Sequence, residues 1–370
     1  MKLKSLSLLA AGGLLLASCG GNKTANPADR LFEPFDYTLT VTNIEGQDSA
    51  WLYLYDYDAM ADGLSAAVID SVMVQNGQGA FTVKGSKSPV AVIQAGKNGR
   101  QFLLFPQAGE NTYNIAEGTG SGALNKAYKA YKDSTNSVLE HVNLPEHNTM
   151  EYQAYVDSID NLLAKIKDDA LAANLENPMG FVIAIEELRN NPENVDSILA
   201  KAPHLANTLR MRKAVEFNEN LKATSVGQPY TDFTIESPAN GKTVKLSDYV
   251  KPGQYTLVDF WASWCGPCKR AIAALKKEYP ALKEKGLNVV GITVWEDPDK
   301  TQAWFAEKPE NAIPWDIVLD AQRVPTDLYA VSGIPTMILI GPDGKILARS
   351  YSDEEVVAAF NDAIAPAPAE

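Results

Sequence analysis

The sequence predicts a small β-rich domain, then a helical segment, then a C-terminal α/β fold. Three observations carry this. Residues 34–122 hold short apolar runs that alternate with polar residues and are split by turn signals. Residues 123–222 lose that alternation and take helical spacing. Residues 223–366 alternate strand-like and helix-like stretches, the pattern of an α/β sheet. At 370 residues the chain has room for several cores.

The first strands read from Tyr37 to Thr42 and from Ala50 to Tyr55, with Gly46 between them. Val72–Val74 and Ala80–Val83 flank Asn76-Gly77, which predicts a hairpin, and Gln78-Gly79 lengthens its loop. Val90–Ile93 and Phe102–Phe105 complete the set. Helices are predicted over 123–142, 151–174, 179–190 and 194–222, with breaks at Pro145, Pro178, Pro192 and Pro203. Tyr128, Tyr131, Val138 and Leu139 stripe the first helix. Tyr155, Ile159, Leu162, Leu163 and Ile166 stripe the second. Both stripes are expected to be core packing rather than chemistry.

In the last third, Phe233–Ile235 and Thr243–Leu246 flank Asn240-Gly241 as a hairpin. Thr256–Trp261 reads as a buried strand running into a helix that carries Ala271, Ile272 and Leu275 on one face. A strand from Leu287 to Val294 precedes a helix near 299–307. Strands Met337–Ile340 and Ile346–Arg349 join at Gly341–Gly344, and a helix closes over 353–364.

Net charge is −13. Such a surface repels polyphosphate, so nucleic acid is excluded as a partner class, and a charge-steered partner would carry a basic patch. The cysteines are Cys19, Cys265 and Cys268, too few for a disulfide framework. His141, His147 and His204 lie far from them in sequence, so no four-ligand zinc site is expected and no metal is assigned.

Residues 1–19 read as a secretion signal. Lys2 and Lys4 precede an apolar stretch from Leu6 to Ala17, shorter than the roughly 20 residues that span a bilayer. Leu16-Ala17-Ser18-Cys19 resembles the lipobox of bacterial lipoproteins, which implies a diacylglycerol thioether on Cys19 and anchorage in the lipid bilayer. Residues 20–33 read as a flexible tether. Gly20 in place of Asp resembles outer-membrane sorting signals. No acidic pair follows Cys19, which favours a periplasm-facing anchor. In an oxidising compartment the remaining thiols, Cys265 and Cys268, are either a small structural loop or a redox centre.

Phe260–Lys269, reading FWASWCGPCK after a strand, and the later Gly333-Ile334-Pro335-Thr336 resemble the thioredoxin superfamily. Within it they are similar to the TlpA/ResA-like (AhpC/TSA-type) envelope thiol-disulfide oxidoreductases. The resemblance implies a thioredoxin fold with Cys265 at a helix start, where unpaired amides and the helix dipole favour its thiolate. Cys268 would be the resolving thiol, one turn later. Pro335 would be cis and would present the Ile334 backbone to substrate. Asp259, a carboxylate in an apolar strand, would have a raised pKa and help deprotonate Cys268. The lysine that partners this aspartate in many thioredoxins has no clear counterpart in residues 289–294. Substrate docking would fall to Trp264, Gly266, Pro267, Ile334 and Thr336. Lys269, Arg270, Lys276 and Lys277 read as a solvated helix face.

The front half resembles the β-rich domain of unknown function that precedes thioredoxin modules in some envelope lipoproteins. Asp70-Ser71, Gly77–Phe81, Gly85, and Gly118-Thr119 before Asn125 carry that likeness. The implied activity is reduction of oxidised proteins, including apocytochromes c, with electrons from a membrane thiol reductant and no cofactor. A non-catalytic envelope scaffold is the alternative. A peroxiredoxin is disfavoured because Ala262-Ser263-Trp264 stands where a Thr-x-x-Cys motif is required.

Overall fold

The computed structural model describes residues 31–44, 50–96, 98–143, 145–146, 149–236, 243–319, 321 and 323–365. The signal stretch with Cys19, His147 and the Asn240-Gly241 turn lie outside the described residues, as do residues 20–30. Leu31 is buried, and Phe32 meets Phe181 edge-on. The chain divides into two compact units between Ala214 and Val215.

In the first unit, β1 (Phe35–Thr42), β2 (Trp51–Asp56), β3 (Val68–Met73), β4 (Gly79–Ser86), β5 (Ala91–Ala95), β6 (Gln101–Leu104), β7 (Gly109–Asn114) and β8 (Thr119–Gly120) form two four-stranded sheets. Their orders are β4-β1-β7-β8 and β3-β2-β5-β6. Alternation explains the core. Tyr37, Leu39 and Val41 of β1 join Phe81 and Val83 of β4 and meet Leu52, Leu54, Ile93 and Leu104 of the other sheet.

The predicted hairpin is half correct. Gln75 and Gln78 exchange backbone hydrogen bonds of 2.9 and 3.0 Å, with Asn76 and Gly77 at φ 50° and 68°. This is the tight turn that Asn-Gly favours. The strands beyond it part into different sheets, β3 pairing with β2 and β4 with β1. The register Leu39↔Phe81 and Tyr37↔Val83 buries the inward side of β4 against β1, so the long-range pairing prevails over the local one.

Helices α1 (Ala123–Glu140), α2 (Met150–Asn174), α3 (Pro178–Asn190), α4 (Val195–Lys201) and α5 (Leu209–Ala223) follow. The stretch over 194–222 breaks at the predicted Pro203, in a 3-10 turn over Pro203–Asn207, because a proline removes an intrahelical donor. The two stripes are corrected: no α2 side chain is fully buried and Leu162 is exposed, and in α1 Tyr131 is buried but Leu139 is exposed. α3, in contrast, is buried over most of its length, and Asn177 caps it by accepting from the amides of Met179 and Gly180.

The second unit holds the thioredoxin fold. The hairpin β9 (Thr234–Glu236) and β10 (Thr243–Lys245) lies ahead of a five-stranded sheet. That sheet contains β11 (Tyr255–Trp261), β12 (Leu287–Thr293), β13 (Asp316–Val318), β14 (Thr336–Ile340) and β15 (Ile346–Ser350), in the order β13-β12-β11-β14-β15. β11, β12 and β13 run parallel, while β14 is antiparallel to both β11 and β15. The helices are α6 (Gly266–Glu284), α7 (Pro298–Glu307), α8 (Val324–Leu328) and α9 (Asp353–Ile364). β13 and α8 are additions to the predicted set.

The sheet separates two cores. Leu257 and Trp261 of β11 pack with Ile272, Leu275 and Tyr279 of α6 and with Val356 and Phe360 of α9. Val258 and Phe260 point the other way, toward Phe233, Ile235, Leu246 and Tyr329. Gly291 has a steric reason to lack a side chain: a Cβ there would lie 2.6 Å from Ile317 Cδ1 and 3.0 Å from Trp261 Nε1.

Candidate active site

β11 ends at Trp261, and a short turn delivers the chain to the start of α6. Cys265 is the N-cap of that helix, with extended backbone at φ −79° and ψ 105°. Its sulfur accepts from the Cys268 amide at 3.1 Å. Helix starts leave such amides without intrahelical partners, so here a sulfur takes the place of the usual capping oxygen. Pro267 sits in the first turn, where a missing N–H costs nothing.

Cys265 and Cys268 form a disulfide. Both are buried, whereas Trp264 beside them is 58% exposed and Pro267 is exposed. The Ile334–Pro335 peptide bond is cis. The Ile334 carbonyl oxygen lies 3.7 Å from Cys265 Sγ, so the loop before β14 faces the disulfide. Thr336 is buried and donates its hydroxyl to the Gly333 carbonyl at 2.6 Å, which ties the loop to itself. Tyr351 is exposed, and its ring edge lies 4.0 Å from the Cβ position of Gly333.

Asp259 lies in the middle of the sheet, in register with Gly291 of β12 and Met337 of β14. Strand alternation places it on the same side of β11 as Leu257 and Trp261, the side packed by α6 and Cys268. It is 1% exposed, and neither carboxylate oxygen has a hydrogen-bond partner among the described residues. Burial pushes its pKa up to about 7, and the nearby Asp353 charge adds to the rise.

Glu296 is the site residue that sequence reasoning missed. It accepts from the Ser263 amide at 2.7 Å and from the Ser263 hydroxyl at 2.6 Å. A single carboxylate thereby holds the turn that leads into Cys265. The chain reaches this position through Trp295, whose φ of 59° is a conformation bulky side chains rarely adopt. A glutamate following a strand has no sequence pattern to announce this role. The one available signal was its place at the C-terminal end of β12, next to the end of β11. Among the described residues no three His, Cys, Asp or Glu side chains converge as metal ligands.

Comparison with known proteins finds relatives of the second unit. The family model described as AhpC/TSA matches residues 226–349. Thiol-disulfide oxidoreductase ResA of Bacillus subtilis is 32% identical over 126 residues, which is 34% of this chain and 67% of that protein. ResA of Geobacillus thermodenitrificans is 32% identical over 124 residues, covering 34% and 68%. The chain belongs to the thiol-disulfide oxidoreductase family.

Among solved structures, a thiol-disulfide oxidoreductase from Bacteroides fragilis is 30% identical, covering 37% of this chain and 99% of its own, at a TM-score of 0.31. The thioredoxin domain of a Bacteroides vulgatus thiol-disulfide oxidoreductase is 27% identical, covering 38% and 99%, at 0.32. The family-model match lies within the second unit, which holds every group described above.

Proposed function

We propose that this oxidoreductase works as a reductase of protein disulfides, anchored through Cys19 and facing the periplasm, with the outer membrane as the favoured location. The observation that carries the reading is a sulfur pair at a helix start opposite the Ile334–Pro335 loop. In the reduced enzyme, the Cys265 thiolate attacks a substrate disulfide. A mixed disulfide forms, and one substrate sulfur leaves as a thiolate that takes up a proton. Cys268 then gives its proton to Asp259 and attacks Cys265 Sγ. The enzyme disulfide closes and the second substrate thiolate departs. Two electrons have passed to the substrate, and a thiol reductant at the membrane restores the dithiol.

Trp264, Gly266, Pro267, Ile334 and Thr336 would form the docking surface. The Ile334 backbone would pair with an extended substrate segment, as family resemblance suggests. Apocytochromes c awaiting haem are the substrate class that resemblance favours. The Gly266-Pro267 dipeptide, similar to that of reducing thioredoxins, supports the reductive direction.

A Cys268→Ser variant tests the reading. It leaves the mixed disulfide without its resolving thiol, so substrates should accumulate on Cys265 and be identified by mass. Recovery of no covalent protein adduct from envelope extracts would refute a protein substrate.

A further inference from the structure

A groove of about 590 Å³ runs between α6 and α7, beginning at Ser263, two residues before Cys265. Its walls carry Lys269 and Lys276 from α6, Lys300 from α7, and Lys308 just after α7. Glu307 and Glu310 also line it, so the lysines outnumber the carboxylates in a chain whose net charge is −13. Lysines that read as a solvated helix face therefore divide. Lys269 and Lys276 turn into the groove, half-buried, while Arg270 and Lys277 remain exposed outside it.

The positive charge in the groove is poorly neutralised. Lys276 Nζ donates to the Glu310 carbonyl oxygen at 2.8 Å, a neutral acceptor. Lys300 Nζ lies 3.7 Å from the Asp297 carboxylate with both groups exposed, a geometry that binds weakly. Lys269 and Lys308 have no ion-pair partner among the described residues. The indole of Trp304, half-buried edge-on against Trp261 at 5.4 Å, supplies an apolar floor.

We propose that this groove holds an acidic segment of the polypeptide whose disulfide is being reduced; the proposal rests on the protein-reductase reading above. Helix geometry sets the reach. At 1.5 Å per residue, Lys269 and Lys276 lie about 6 and about 16 Å along α6 from Cys265. An extended chain covers about 3.3 Å per residue, so the recognised carboxylates fall within about two to five residues of the attacked cysteine. The net charge of −13 disfavours such a segment over the surface at large, while the lysines of the groove attract it, which fixes its direction across the disulfide. A concave groove beside a nucleophile suits a peptide better than a flat bilayer of anionic headgroups.

The test uses the full-length reduced protein and two disulfide-bonded peptides, identical except for Glu in one and Gln in the other within about five residues of one cysteine. The readout is the ratio of kcat/KM for the two peptides. The ratio should favour the acidic peptide by about tenfold at about 0.05 M salt and fall toward one at about 0.5 M. Lys269→Gln/Lys308→Gln should bring it toward one at low salt. Lys277→Gln/Lys283→Gln removes the same charge outside the groove and should leave the ratio intact. Equal rates for the two peptides, while both are reduced, overturn the groove proposal alone. Failure to reduce either peptide removes the protein-reductase reading and this proposal with it. Loss of adsorption to phosphatidylglycerol vesicles in the groove variant, with no change in the peptide ratio, assigns the lysines to a lipid surface and overturns the proposal.

Discussion

Asp259 shows how one residue couples stability to chemistry. Its carboxyl is buried among apolar neighbours with no hydrogen-bond partner among the described residues, and its pKa rises to about 7. The folded value lies above the ordinary one of 3.8, so below about pH 3 both states hold the proton and folding carries no penalty. As pH climbs toward 7 the unfolded chain ionises while the folded carboxyl stays protonated. Stability then falls by about 1.4 kcal/mol per pH unit, and levels off above 7 after a total of about 4 kcal/mol. Asp259→Asn should therefore unfold at higher denaturant than the parent at pH 8 and at the same concentration at about pH 3. If Asp259 also takes the Cys268 proton, the variant resolves mixed disulfides more slowly, read by quenching a single turnover near pH 7. A second prediction concerns Glu296. Glu296→Ala removes the acceptor of two charge-assisted bonds to Ser263 and should cost about 2–4 kcal/mol in denaturant melts, with Glu296→Gln losing less. These residues differed in legibility. The cysteines announce themselves by spacing, and Asp259 by polarity within an apolar strand. Glu296 acquires its role from the left-handed turn at Trp295 and a partner distant in sequence, which no local pattern encodes.

Elements were legible where one local signal dominated. Pro267 and the apolar face of Ala271, Ile272 and Leu275 mark α6, and the structure begins that helix at Gly266. The short strand β13 and the short helix α8 went unread because a few residues carry too little periodicity to stand out. The parting of β3 from β4 was invisible for a different reason: the turn is a local fact, whereas the choice of strand partner depends on what each inward side chain meets across the sandwich. A buried amide helps link sheet to helix in the first unit, beside the edge-on contact of Phe105 with Tyr128. Asn125 donates to the carbonyls of Phe105 and Ser121 at 3.0 and 2.6 Å and accepts from the Phe105 amide at 2.9 Å. At about 1 kcal/mol each, with a further cost for stranding the Phe105 amide, Asn125→Ala should destabilise the chain by about 3 kcal/mol. Thermal unfolding followed by circular dichroism checks this. A shift within error would mean that water replaces the lost bonds.

At the scale of the whole molecule, chemistry and address are carried by separate parts of the sequence. The groups proposed for the reaction lie between Asp259 and Thr336, while the proposed anchor is a single sulfur at Cys19. Among the described residues no helix is long and apolar enough to cross a membrane; in the proposed reading the attachment is the acylated Cys19. One acyl chain binds weakly and reversibly, whereas several chains bury enough methylenes to hold the protein on the bilayer. Cys19→Ser should therefore move the protein from the membrane pellet to the soluble fraction of the envelope. Turnover of a small disulfide by the purified variant should match that of the parent, since Cys19 takes no part in thiol exchange. Immunoblots of membrane and soluble fractions, together with a rate on purified protein, decide the matter. A Cys19→Ser protein that still sediments with membranes would show that attachment comes from the folded units and not from the acylated thiol.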